Sequence, residues 1–129
     1  SSFLTEITAR LKEQGIRVSI FLDASPRMVE GAASIGADRV EFYTGPFAAQ
    51  YRTDPRAAIA GHIAAAQEAS QLNVGVNAGH DLNLDNLRFY ASMIPNLLEV
   101  SIGHALVCDA LYYGLSNVIG MYQHQLRSI

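Results

Sequence analysis

Short apolar runs and amphipathic stretches alternate from one end of this chain to the other, and that alternation constrains the fold more than any single motif. Strand-like runs begin near residues 16, 39, 73 and 98. The intervals leave room for helical crossovers, so consecutive strands are expected to lie parallel with helices packed outside them. The expected class is α/β, built from four parallel βα units.

The local signals support that reading. Phe3, Leu4, Ile7 and Leu11 form the apolar stripe of a first helix, which Gly15 ends. A strand over residues 16–22 closes at Asp23. Ser25 as N-cap and Pro26 as first helical residue open a short helix over residues 27–35, stopped by Gly36. The second strand, residues 39–43, places Val40 and Phe42 on one face and Glu41 on the other. Residues 46–53 lack a clear period and read as a loop, with a short turn of helix as the alternative. Asp54 and Pro55 repeat the cap-and-proline device and open an Ala-rich helix to Gln71. A strand over residues 73–77, a helix over 83–93 and a strand over 98–102 follow. One last helix is expected from His104 to about Leu126, with Leu106, Leu111, Leu115, Val118, Ile119 and Tyr122 on a broad apolar face.

Four βα units are half of an eight-stranded barrel, which leaves two open strand edges and an unfilled interior. A complete open four-stranded sheet is the alternative. Ser1 stands directly before helical residues with no initiator Met, so an upstream portion is expected. The 129 residues suit one core, and a composition that is 50% hydrophobic and 16% charged argues against disorder. With 9 Lys and Arg against 12 Asp and Glu, and no basic run or aromatic platform, nothing points to nucleic acid. No segment reads as a membrane span. Cys108 cannot close an intramolecular disulfide, and its apolar helical setting reads as a reduced cytoplasmic thiol in a packed face.

Two runs carry the chemistry, VNAGHDL at residues 76–82 and VSIGHAL at residues 100–106. Each delivers an apolar strand to a glycine, a histidine and a helix start, where unpaired N–H groups can meet an anion. Imidazole titrates near neutrality, so His80 can give and take protons. Asn77 and Gly79 lie at the same strand end. Asp81 either orients His80 or caps the following helix, the cap being the favoured reading. Gly103 would let backbone approach a phosphate beside His104, unless it merely turns the chain. Glu41 faces away from Val40 and Phe42, where an isolated carboxylate is costly unless paired or wetted. That favours a functional carboxylate over one facing solvent or paired with Arg17 or Arg39. Thr44 and Gly45 could line a ligand site at their strand end, as could Asp23, which could equally start a turn. His62 and His124 read as structural or exposed. The four histidines form neither HxxxH nor HExxH, and no Walker loop occurs.

At these residues the chain resembles the pyridoxine 5'-phosphate synthase family of the deoxyxylulose-dependent vitamin B6 route. IRVSIFLDA (residues 16–24), VEFYTG (40–45), VNAGHDLN (76–83) and EVSIGHAL (99–106) match in order and span most of the chain. The resemblance covers the family's C-terminal half, so it implies the C-terminal half of a (β/α)8 TIM barrel forming one domain over residues 1–129. It implies condensation of two small phosphorylated substrates, 3-amino-2-oxopropyl phosphate and 1-deoxy-D-xylulose 5-phosphate, to pyridoxine 5'-phosphate, phosphate and water. Glu41 and His80 become the catalytic residues. Thr44, Gly45, Asn77, Gly79, Asp81, Gly103 and His104 become substrate- or phosphate-binding residues. No cofactor or metal is implied. The missing N-terminal half of the barrel is the required partner, without which the fragment is expected to be inactive, and the full protein is expected to be a cytoplasmic homo-oligomer, commonly an octamer. A sugar-phosphate isomerase, aldolase or epimerase on the same barrel, or a silent phosphate-binding module, would use similar strand-end residues.

Overall fold

The computed structural model describes residues 2–127, and its four strands form one parallel sheet: β1 (Ser19–Asp23), β2 (Arg39–Tyr43), β3 (Gly75–Gly79) and β4 (Leu97–Ser101). Ser1, on which the expected upstream portion rested, lies outside the described residues. The spatial order is β1-β2-β3-β4, the order of the sequence itself. Right-handed crossovers between successive neighbours put every intervening helix on one side. A doubly wound sheet would have to reverse its order. The open-sheet alternative is thereby set aside, and the fold is half of a (β/α)8 barrel.

The helices are α1 (Ser2–Glu13), α2 (Pro26–Ser34), α3 (Gly45–Tyr51), α4 (Pro55–Gln71), α5 (Leu87–Met93), α6 (His104–Tyr113) and α7 (Leu115–Arg127). Capping fixes two starts as the sequence foretold. The Ser25 hydroxyl accepts from the Met28 amide at 3.3 Å, and the Asp54 carboxylate from the Ala57 amide at 3.1 Å. Gly15 and Gly36 leave α1 and α2 with positive φ, as C-terminal glycines do.

Several expectations need correction, the bounds expected for β1, β3 and β4 among them. Residues 46–53 are not simply a loop, because α3 forms there around Phe47, whose burial supplies the tertiary support that a seven-residue helix lacks on its own. The helix expected from residue 83 starts at Leu87, after a turn held by Asn83 and Asn86. The last helix is two, broken at Gly114, whose φ of +84° ends α6. Cys108 is exposed, not packed, because α6 leans on the core only through the half-buried Leu106 and Ala110 and leaves the cysteine's side of the helix open. Of the face expected on the last helix, Val118 and Tyr122 are buried while Leu111, Leu115 and Ile119 are exposed. The stripe of α1 is likewise exposed at Phe3, Leu4, Ile7 and Leu11, and only Thr8 is buried.

The core lies between the sheet and its helices. Val40, Phe42, Val76 and Ala78 point into it from β2 and β3, meeting Val29, Ile59, Phe47, Leu87, Tyr90 and Val118. Phe47 and Tyr90 pack with ring centroids 4.9 Å apart, and each buried aromatic contributes on the order of 2 kcal/mol. The other sheet face is open, with Phe21 61% exposed. Among the described residues no helix is long and apolar enough to cross a membrane.

His62 is structural, as one of its two expected readings has it. It is buried, and its Nδ1 lies 2.8 Å from the Tyr90 hydroxyl. Burial lowers its pKa from 6.5 to about 4. As pH falls through that window the unfolded chain takes up a proton that the folded protein refuses, so stability drops, by up to about 3 kcal/mol. Urea midpoints measured from about pH 7 to about pH 4.5 should therefore fall less steeply in His62→Gln than in the parent. Equal slopes would show that His62 contributes nothing to the acid sensitivity.

Candidate functional site

The residues singled out for chemistry gather at the C-terminal ends of β2, β3 and β4, the end where barrel enzymes place their sites. Parallel register puts Phe21, Glu41, Asn77 and Glu99 in one row across the open face. An irregularity between Val76 and Asn77 makes that row possible: Val76 pairs Leu97 while Asn77 pairs Glu99, so Leu98 is the extra residue. The Glu41 side chain, half-buried in this row, makes no hydrogen bond or ion pair among the described residues. Arg17 and Arg39 do not hold it. Both turn to Glu99, at 3.6 and 3.1 Å.

Asn77 is buried and bridges that ionic group. Its side-chain oxygen accepts from Arg39 at 3.2 Å, and its amide donates to Glu99 at 3.2 Å. Arg39 entered the sequence reading only as a possible partner of Glu41, and Glu99 was not singled out as a site residue. Alternation alone would have placed Arg39 on the face of Glu41, since each flanks Val40. Glu99 could not be placed that way, because its facing depends on the extra residue in β4.

The first glycine–histidine turn works differently from the expectation that glycine supplies the tight exit. The positive φ, +52°, is at His80. Gly79 is needed for a different reason: a Cβ there would run into the Ser101 carbonyl of β4. Four hydrogen bonds hold the turn. The His80 amide donates to the Ser101 carbonyl at 2.9 Å, and the Asp81 amide to the Gly79 carbonyl at 2.8 Å. Thr44, fully buried at the end of β2, donates its hydroxyl to the Gly79 carbonyl and accepts from the Asp81 amide at 3.1 Å. Its side chain is thus occupied within the protein. The His80 ring is exposed, with Nδ1 3.1 Å from the Asp81 carboxylate.

The Asp81 carboxylate therefore faces the His80 ring, and the favoured reading of it as a helix cap is corrected. Asn83 holds the turn ahead of α5 instead. Its side-chain oxygen accepts from the amides of Asp85 and Asn86 at 2.9 and 3.0 Å, which leaves the Asp81 carboxylate free to turn toward the histidine.

The second turn meets the first across β3 and β4. Glu41, His80, Ser101, Ile102, Gly103 and His104 line one open depression. Gly103 is the N-cap of α6 and makes no side-chain cap, so the first amides of that helix have no intrahelical acceptor. His104 Nε2 lies 3.7 Å from Cys108 Sγ one turn on. Gly45 begins α3, and a Cβ there would collide with the Tyr43 ring, which accounts for the glycine by packing. Asp23 is exposed at the end of β1, where its carbonyl accepts from the Ser25 amide at 2.8 Å in the turn before α2. His124 lies in α7, in an element separate from this group. Among the described residues no group of three or more His, Cys, Asp or Glu is arranged to hold a metal ion.

A carboxylate without a partner, a histidine with its own carboxylate and a helix start thus share one depression. The family model described as pyridoxal phosphate biosynthesis protein PdxJ matches residues 1–128. The chain belongs to the PdxJ family. Curated relatives from this family are named pyridoxine 5'-phosphate synthase. The protein of Cytophaga hutchinsonii is 56% identical over 126 residues, 98% of this chain and 53% of the relative. That of Bacteroides thetaiotaomicron is 51% identical over 125 residues, 97% of this chain and 53% of the relative. The chain spans about half the length of the curated relatives it matches, as half a barrel should. Its PdxJ-family segments coincide with the site: VEFYTG carries Glu41 and Thr44, VNAGHDLN the His80 turn, and EVSIGHAL both Glu99 and the start of α6.

Proposed function

We propose that this chain supplies the C-terminal half of the active site of a pyridoxine 5'-phosphate synthase, residues 1–129 forming one continuous half of a single barrel domain. The observation that carries the reading is the convergence of Glu41, His80 and the Gly103 turn on one depression, in a chain half as long as its synthase relatives. The reaction joins 3-amino-2-oxopropyl phosphate to 1-deoxy-D-xylulose 5-phosphate, giving pyridoxine 5'-phosphate, phosphate and water. Amine and carbonyl must meet, phosphate must leave, and a carbon–carbon bond must close the ring before aromatisation.

Each of those stages moves protons at nitrogen, carbon or oxygen, so groups able to exchange protons are needed on more than one side of the intermediate. Glu41, which has no structural partner, is assigned to the reacting amine or carbonyl. His80, steadied by Asp81, is the acid/base toward the other substrate and its departing water. The amides at the start of α6, with Gly103 and His104, hold a phosphate. Asn77 fixes the floor beneath Glu41 through Arg39 and Glu99.

The complementary half-barrel is the partner that covers Phe21, Leu98 and the two open edges, and the fragment alone is inactive for want of it. Exposed Leu111, Tyr112 and Tyr113 on α6 suit further copies in a homo-oligomer. An exposed unpaired thiol at Cys108 suits the cytoplasm.

The full-length protein, given both substrates, should form pyridoxine 5'-phosphate and inorganic phosphate in step. Turnover of a single sugar phosphate without the amino ketone would instead indicate an isomerase, aldolase or epimerase. Phosphate binding with no turnover would indicate a silent module. The last turn has its own test. A Cβ on Gly103 meets no protein atom within 4 Å, so Gly103→Val should crowd only the anion. Inorganic phosphate affinity is expected to fall about tenfold or more with the melting temperature unchanged. Undiminished binding would remove this turn from the site.

A further inference from the structure

We infer that Thr44 is a positioning residue for His80, holding the backbone that aims the imidazole, and not a ligand to substrate. The inference rests on the proposed acid/base role of His80. Its argument begins with which atoms the hydroxyl grips. The Gly79 carbonyl belongs to the peptide plane before His80, and the Asp81 amide to the plane after it. One buried oxygen donates to the first and accepts from the second at 3.1 Å. It therefore fixes how the two planes are rotated about His80 Cα, which is to say its φ and ψ.

That restraint is needed because the conformation is uncommon. His80 stands at φ +52°, a region that side chains with a Cβ enter rarely unless the surroundings hold them there. The Asp81 amide closes a three-residue turn onto the Gly79 carbonyl at 2.8 Å, and with positive φ at the centre such turns are rare and strained. The His80 amide anchors the first plane to β4 through Ser101, but among the described residues only Thr44 hydrogen-bonds to both planes from outside the turn.

Thr44 also comes from β2, one residue beyond Tyr43 and three beyond Glu41. It thereby ties the strand carrying the carboxylate to the turn carrying the imidazole. Being fully buried, its side chain has no surface to offer a ligand.

The test uses the full-length protein with Thr44→Val, which keeps the shape and loses the hydroxyl, and Thr44→Ser, which keeps the hydroxyl. Turnover is expected to fall between about 10-fold and 100-fold in the valine variant, with KM for both substrates changed less than about threefold, and serine should restore it. A crystal structure of the valine variant should show His80 out of the positive-φ region and its ring displaced from Asp81. That readout needs no activity, so it decides the inference even if the synthase reading fails. Should valine prevent folding, Thr44→Ala removes the same hydroxyl with less bulk and carries both measurements. Unchanged His80 geometry in a variant without the hydroxyl overturns the inference. So does a rise in KM at constant turnover, which would make Thr44 a ligand.

Discussion

Glu41→Gln in the full-length protein is expected to lower turnover by about 10²- to 10⁴-fold while leaving thermal stability unchanged. Both halves of that expectation come from the same observation. The Glu41 side chain makes no hydrogen bond or ion pair among the described residues, although two arginines approach its face. Those arginines are taken by Glu99, so removing the Glu41 charge breaks nothing that holds the sheet. Glutamine keeps the shape and can still donate and accept hydrogen bonds, but it cannot carry a proton to or from a reacting nitrogen. A stable, folded and nearly silent variant is the result that supports the assigned role. Near-normal synthesis of pyridoxine 5'-phosphate would sink it, and a matching loss of melting temperature would make Glu41 structural.

What the sequence made legible follows the range of the interactions involved. The starts of α2 and α4 depend on Ser25–Pro26 and Asp54–Pro55, devices contained within four residues, and both are where they were expected. The bounds of β2 agree as well, because Val40 and Phe42 alternate with Arg39 and Glu41. The short α3 was legible only as the alternative to a loop, since its stability comes from Phe47 packing against Tyr90, 43 residues away by numbering. Gly114 sits inside a continuous apolar run, where periodicity carries no sign that its φ is positive.

The site divides in the same way. The facing of Glu41 could be read by counting residues along one strand. The ionic row could not, because the pairing of Glu99 with Asn77 depends on how β3 and β4 slide past each other. Thr44 could be placed at a strand end, but its two partners lie 35 and 37 positions on, so its role appears only in three dimensions. The exposure of Cys108 had no sequence signal either. An apolar helix in a half-barrel has the composition of a buried one, whether or not its neighbour is in place.

His80→Asn is expected to be as damaging as Glu41→Gln, and the choice of asparagine follows from the backbone. At φ +52° most replacements would add strain to the loss of the imidazole, and a drop in rate would then have two causes. Asparagine enters the left-handed region more readily than other residues with a Cβ, so the turn closed by Gly79 and Asp81 should survive. Its amide can also meet the Asp81 carboxylate as a donor, as the ring Nδ1 does at 3.1 Å. What asparagine lacks is a ring nitrogen that can take up a proton and give it back. Turnover should therefore fall by about 10²- to 10⁴-fold at every pH, and the pH dependence due to the imidazole should disappear from what remains. Inorganic phosphate binding at the α6 turn should persist, since that turn is built from β4 and α6. If the asparagine variant keeps both its rate and its pH profile, the proton carrier on this side of the site is another group, and His80 serves only to shape the turn.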